Sequence, residues 1–191
     1  MLTQSPKNGC SAPASSALTG HWVLALSAIS RWGYRADQLK PVERTPDMEA
    51  AIIERGDLVV SRSNTRELVG LPAVFEEDRE DVSYPDTMMR LSLDPSRVDV
   101  RFVEMCLRSP DCRRQIESYA AGTSASMKKI NGTNLRKVKM PLIPIASQRE
   151  VLLQTGRMTG LLRETENRIE YTKAIRSRAL EHSLAEVRSL R

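Results

Sequence analysis

GDLVVSRSNTRELVGLPAVF, Gly56 to Phe75, is the stretch on which the reading of the fold turns. Gly56-Asp57 is a turn signal, and Leu58-Val59-Val60 follows as a β-branched strand core. Leu68 to Phe75 is a second strand candidate, interrupted by Gly70 and Pro72. The polar segment SRSNTRE, Ser61 to Glu67, lies between the two.

Working outward toward the N-terminus, residues 1–20 are rich in Ser, Ala, Gly and Pro and read as irregular. Trp22 to Ile29 reads as a buried strand. Gly33 breaks it, and a polar stretch runs on to Asp47. MEAAIIERG, Met48 to Gly56, is expected as a short helix or a turn entering the strand. On the other side, the acidic run EEDREDVSYPD, Glu76 to Asp86, is expected as an exposed loop or hairpin. Met88 to Leu93 partly alternates, as a half-buried strand does.

Asp99 to Ala121 reads as helix, with Asp99 as its cap and Gly122 as its stop. Val103, Cys106, Leu107, Ile116 and Tyr119 form its apolar side, and Pro110 is a candidate break into two helices. The polar loop GTSASMKKINGTN follows from Gly122. Leu135 to Ile145 then mixes apolar and basic residues and ends in PLIPI. From Ser147 onward there is no proline. Leu152, Met158, Leu162, Ile169, Ile175, Ala179, Leu184, Val187 and Leu190 recur at helical spacing in an imperfect heptad. Such a helix needs a partner for its stripe, and ~40 residues of it would extend ~60 Å. Folding back onto its own domain is the alternative.

The chain has 191 residues and a formal net charge of +5, a balance that fits a polyanionic partner without proving one. Aromatics make up only 4%, which argues against a surface that stacks single-stranded bases on several rings. Cys10, Cys106 and Cys112 match no zinc spacing, and their odd number argues against a disulfide framework. Reduced thiols in a cytoplasmic protein are the expectation. His21 and His182 sit in no metal or triad pattern and read as ordinary surface or packing residues. No stretch is long and apolar enough to span a membrane, and none resembles a signal peptide.

Two stretches in order, Gly56–Phe75 and AAGTSASMKKINGTNLRKVKMPLIPIASQREV from Ala120 to Val151, resemble the target-recognition domains of type I restriction-modification specificity subunits. In that family the first reads as Gly-Asp, a hydrophobic run, Arg-Thr/Ser-Asn-Ser/Thr and Glu-Leu-Val-Gly. The second reads as Gly-Thr-Ser, Met-Lys-Lys-Ile, a Pro-Leu-Pro-Pro-Leu segment and Glu-Gln. KNGCSAPASS, from Lys7, and the segment from His21 to Leu39 resemble the family's opening more loosely. Ile143 replaces one proline of the family's pair, and Ser147 stands where its Glu precedes Gln148. The family's domain usually begins earlier with an extra strand, and a full specificity subunit carries two such domains and two helices.

The resemblance implies an α/β (α+β type) fold: a twisted mixed β-sheet recognition domain with flanking helices over residues 1–147, then a long coiled-coil-forming helix over 148–191. It implies a DNA-binding set of Arg62, Ser63, Asn64, Thr65, Thr123, Ser124, Ser126, Lys128 and Lys129. Arg62 offers a fork for a phosphate or a guanine edge, or braces the fold. Asn64 pairs with an adenine edge or holds its own loop. The hydroxyls and lysines of the second stretch suit phosphate, or make a solvated basic loop. Leu152, Met158, Leu162, Ile169, Ile175, Leu184 and Val187 are the expected partner-binding stripe. The implied partners are double-stranded DNA, methyltransferase and restriction subunits, and a second specificity half-subunit or another copy of the chain.

No catalytic constellation, cofactor loop or metal cluster is legible, so the chain is expected to be a non-catalytic subunit that binds no cofactor of its own. The acidic run from Glu76 has no spaced partner that would complete a nuclease centre. A recognition fragment of a fused restriction-methylation enzyme, a truncated remnant acting only in protein interaction, and a small nuclease are the competing readings.

Overall fold

The structure is a computed structural model that describes residues 2–11, 19–122 and 127–189, with backbone only at 157, 159, 163 and 179–189. It divides into two units, Met1–Arg149 and Glu150–Arg191.

In the first unit the elements run β1 (Lys7–Asn8), β2 (Trp22–Leu24), β3 (Ile29–Ser30), β4 (Gly33–Tyr34), β5 (Leu39–Pro41), α1 (Pro46–Glu49), β6 (Leu58–Ser61), β7 (Ser63–Asn64), β8 (Pro72–Val74), β9 (Val82–Ser83), β10 (Met88–Leu91), α2 (Val100–Arg108), α3 (Pro110–Tyr119), β11 (Lys128–Lys129) and α4 (Gly132–Leu135). Four strands make an antiparallel sheet in the order β1-β10-β6-β8. A smaller sheet, β5-β2-β9, is mixed: β2 is antiparallel to β5 and parallel to β9. Sheets and helices together make the α+β architecture expected, with the mixing confined to this smaller sheet.

The central strand β6 explains the layering. All four of its residues are buried. Val59 packs in one core cluster with Val23, Leu24, Phe75 and Tyr84. Leu58 and Val60 pack in the other, with Val103, Leu107 and Ile116 from α2 and α3. A strand covered on both faces reads as an unbroken apolar run, which is why Leu58-Val59-Val60 lacks alternation. The same coverage corrects the reading of Met88 to Leu93. The strand stops at Leu91, and Met88 and Met89 are both buried on opposite faces rather than half-exposed.

Several local expectations change. Trp22 to Ile29 is not one strand: after Leu24 the chain makes a 3₁₀ turn, Leu26–Ala28, that buries Ala28 and starts the β3–β4 hairpin. Leu68 to Phe75 contains strand only over Pro72–Val74, because a turn whose Thr65 carbonyl accepts from the Leu68 and Val69 amides occupies the preceding residues. The acidic run is an exposed loop only in part: Val82, Ser83 and Tyr84 are buried, and β9 pairs with β2. Residues 1–20 contribute β1 at the sheet edge. Pro110 does divide the long helical segment. Asp99 caps α2 through the Arg101 amide, and Ser109 caps α3 through the Cys112 amide.

A buried polar framework ties these elements together. Arg108, at the end of α2, donates to the carbonyls of Ser30 (2.9 Å), Arg31 (2.8 Å) and Pro72. Buried Glu104 lies one turn back, within 3.4 Å of Arg108 and 3.0 Å of Arg101. Gln148 is fully buried. Its Oε1 accepts from the Asp99 amide at 2.8 Å, and its Nε2 donates to Arg97 (3.0 Å) and Ile143 (2.7 Å) carbonyls. Every polar atom of that side chain is thereby satisfied.

The helix α5, Ile145–Ser189, makes up the second unit from Glu150 onward. No helix among the described residues is long and apolar enough to cross a membrane.

Candidate nucleic-acid interface

The chain leaves β6 at Ser61 and enters β7, which pairs antiparallel with β11 from the far side of the sequence. Lys128 stands opposite Asn64, and Lys129 opposite Ser63. The Ile130 amide donates to the Arg62 carbonyl at 2.9 Å. On its other edge, Lys129 exchanges both backbone bonds with Ala121, at 2.8 and 2.9 Å. A small ribbon results, built from three segments: 62–64, 121 and 128–130.

Directly opposed residues share a face and neighbours along a strand alternate, so Lys128 lies with Asn64 on one face and Lys129 with Ser63 on the other. Lys129 is exposed and Lys128 is partly covered, with its Nζ donating to the Gly122 carbonyl. Gly122 has φ +140°, and a Cβ there would come within 2.6 Å of the Met127 carbonyl oxygen. Glycine is therefore what lets the loop enter the ribbon.

Arg62 is fixed by its backbone and by its side chain. Its amide donates to the Thr87 carbonyl at 2.7 Å, and one guanidinium nitrogen lies 3.3 Å from the Asp86 carbonyl. Asn64 turns its Oδ1 to the Thr65 amide at 2.8 Å, the loop-holding role open to it from sequence. Thr65 starts the turn to Gly70. Buried Ser61 pins that turn by donating to the Leu68 carbonyl at 2.6 Å and accepting from the Leu71 amide at 3.1 Å. Beneath it, Arg113 of α3 donates to the Glu67 carbonyl at 3.1 Å. Arg66 is exposed and 3.4 Å from Glu117. Cations and carboxylates therefore both occur here, with Asp86, Glu67 and Glu117 set against Arg62, Arg66, Lys128 and Lys129.

Five of the nine residues expected to meet DNA, Arg62, Ser63, Asn64, Lys128 and Lys129, thus come together, with Thr65 adjoining. Thr123, Ser124 and Ser126 lie outside the described residues. Ser61, Thr87 and Arg113 were not singled out from sequence. Their roles depend on backbone partners distant in the chain, and no local pattern marks them.

In the second unit Met158, Leu162, Ile169 and Ile175 are exposed and Leu152 is half-buried. The side chains of Leu184 and Val187 lie outside the described residues. Leu153, Leu161 and Tyr171 are also exposed, which broadens the apolar surface beyond the stripe expected. Thr165 and Thr172 donate their hydroxyls to the Leu161 and Arg168 carbonyls at 2.8 Å each. With those hydrogens satisfied inside the helix, Leu162, Thr165, Ile169 and Thr172 follow one another at the alternating three- and four-residue steps of a heptad seam.

Hydrolytic chemistry has one superficial candidate. The His21 Nε2 lies 2.8 Å from the Ser83 Oγ. That hydroxyl, however, donates to the Met48 carbonyl at 2.7 Å, so it can only accept from the imidazole, and both residues are buried. This is a packing pair, not a nucleophile and its base. Among the described residues no group of His, Cys, Asp and Glu could hold a metal ion.

No protein-family model matches the chain. In sequence it is similar to the type I restriction enzyme EcoEI specificity subunit of Escherichia coli, 25% identical over 132 residues. It is also similar to a protein described as the MjaX type I restriction enzyme specificity subunit of Methanocaldococcus jannaschii, 23% identical over 147 residues. These alignments take in 68% and 76% of this chain but only 22% and 34% of the relatives' own lengths. Among solved structures, the S subunit of a type I restriction-modification system from M. genitalium superposes over 69% of this chain and 30% of its own, with 14% identity and a TM-score of 0.40.

Proposed function

We propose that this chain, similar in sequence to type I restriction-modification specificity subunits, is a non-catalytic DNA-recognition half-subunit. Its first unit reads one half of a bipartite site in duplex DNA. Its second unit pairs through its apolar stripe with another specificity half or a second copy. Through it the chain also seats the methyltransferase and restriction subunits that supply the chemistry and the cofactors.

One observation carries the reading. The polar segment after β6 and the basic stretch after α3, far apart in sequence, join into one ribbon in which Lys128 and Lys129 stand opposite Asn64 and Ser63, beside Arg62. Lysines anchor phosphates, while an Arg fork and an Asn amide suit base edges or the backbone. Lys128 shares a face with Asn64 while Lys129 lies on the other, contrary to the expectation that the cations share one side; exposed Lys129 is the lysine offered to a phosphate, since Lys128 donates to the Gly122 carbonyl. The exposed stripe of α5, from Met158 to Ile175, supports the pairing role because a lone amphipathic helix gains little from leaving such a face in water.

The test is binding of a mixed-sequence duplex, followed by anisotropy across a salt series with and without a methyltransferase subunit. The logarithm of affinity should fall linearly with the logarithm of salt concentration. Lys128→Ala with Lys129→Ala should flatten that slope by about one. Identical affinity and slope in the double variant would sink the ribbon's assignment. Failure to bind duplex even with the methyltransferase subunit would favour the interaction-only reading. Pull-down with that subunit and mapping of methylated sites would then define the target. A strict monomer by light scattering at micromolar concentration would count against self-pairing.

A further inference from the structure

The first unit holds seven aromatic side chains, and of these seven only Trp32 is exposed, at 40%. Trp22, Tyr34 and Tyr119 are half-buried, and Phe75, Tyr84 and Phe102 are buried. Trp32 sits with exposed Arg31 at the tip of the β3–β4 hairpin.

The hairpin lies along β8, and its direction can be read from both ends. At its base the Tyr34 ring meets the Phe75 ring edge-on at 5.2 Å, and the Tyr34 hydroxyl donates to Glu77. At its tip the Ser30 and Arg31 carbonyls share Arg108 with the carbonyl of Pro72. Pro72 is level with Val60 in the sheet, and the Leu71 carbonyl accepts from the Ser61 amide at 2.9 Å. The tip therefore emerges at the end of the sheet where β6 runs into Arg62 and the ribbon.

The tip is also held rigid. The Ser30 Oγ accepts from the Trp32 amide at 3.1 Å and donates to the Gly33 carbonyl at 2.9 Å. With Arg108 on the two carbonyls, four backbone groups of this turn are fixed by side chains. A rigid mount for an exposed indole beside an exposed arginine lowers the ordering cost of contact with a polyanion.

Resting on the DNA-binding reading above, we propose that the Arg31–Trp32 tip is a second DNA-contacting element. Trp32 makes apolar contact with the sugar and base edges of the duplex, and Arg31 takes an adjacent phosphate. A single ring of this kind differs from the multi-ring platforms that hold single strands, so duplex DNA is the expected occupant.

Replacing Trp22 by Phe leaves Trp32 as the one indole of the full chain. Its emission should then change on titration with mixed-sequence duplex. Trp32→Ala should weaken duplex binding about fivefold with the salt slope retained, because the contact it removes is uncharged. Arg31→Ala should lower the slope by about one. Trp32→Tyr keeps a ring on the tip and should bind within about twofold of the parent, which separates loss of contact from loss of folding. The proposal is overturned, with the ribbon's role intact, if the Lys128 and Lys129 variants lose affinity while Trp32→Ala binds like the parent and the emission does not move. Absence of any duplex binding overturns both.

Discussion

Lys128 stands directly opposite Asn64 in an antiparallel ribbon, although neither residue lies near the other in the chain. The pairing joins the polar loop after the central strand to the basic turn after the second helix of the α2–α3 pair. Both faces of the resulting ribbon carry groups suited to nucleic acid.

The register depends on Gly122. Its φ of +140° and the 2.6 Å approach of a hypothetical Cβ to the Met127 carbonyl leave no room for a side chain. Gly122→Ala should destabilise the first unit by about 1–3 kcal/mol and weaken duplex binding along with it. Urea melts and anisotropy on the same preparation check this. A variant as stable and as tight as the parent would show that the ribbon does not need this entry.

Gln148 satisfies three backbone groups from a fully buried position. Gln148→Ala should cost about 2 kcal/mol or more, since the Asp99 amide and the Arg97 and Ile143 carbonyls all lose their partner. Gln148→Glu should be worse, because a carboxylate would face two carbonyl oxygens. The order of the urea midpoints, parent above Ala above Glu, is the observable.

Arg108 holds the hairpin tip and the β8 strand to α2 and partners buried Glu104. Arg108→Met should lower stability by about 3 kcal/mol, because a carboxylate is left buried with only Arg101 beside it. Adding Glu104→Gln should recover part of that loss. Simple additivity of the two single losses in a double-mutant cycle would refute the coupling.

Burial, with Arg44 nearby, pushes the His21 imidazole below its ordinary pKa. The unfolded chain therefore takes up this proton more readily than the folded one. The contribution to stability is complete above about pH 6.5 and is lost as pH falls through and below that value. The urea midpoint should drop between about pH 7.5 and pH 5.5. His21→Gln, whose amide can take the place of the Nε2 donor to Ser83, should flatten that drop. An equal slope in both proteins would place the titrating group elsewhere.

The Cys106 thiol is pushed up to about 11, chiefly by burial. Cys10 is raised for the same main reason, and all three cysteines are buried and free. Thiol reagents at about pH 8 should label the folded protein slowly and the urea-unfolded chain at all three positions. Rapid labelling of Cys106 and Cys112 in the folded chain would mean that α2 and α3 open readily.

By itself the sequence marked the strand core Leu58-Val59-Val60, the cap at Asp99, the break at Pro110 and the long helix from Ser147 onward. Each rests on local chemistry: β-branching, a cap's hydrogen bond, a missing amide, helical spacing. The Ser109 cap of α3 and the helix start at Ile145 came from the structure. The sequence also marked the polar segment Ser61–Glu67 and the basic loop from Gly122 as candidates, because their residue types are those that meet phosphate and base edges. Only the tertiary structure decided that these stretches pair, that Trp22 to Ile29 folds as strand, turn and hairpin, and that Arg108 and Gln148 serve as clamps. Those outcomes depend on which backbone groups from distant segments are left needing partners. No period or motif encodes that; it follows from how the two cores pack around β6.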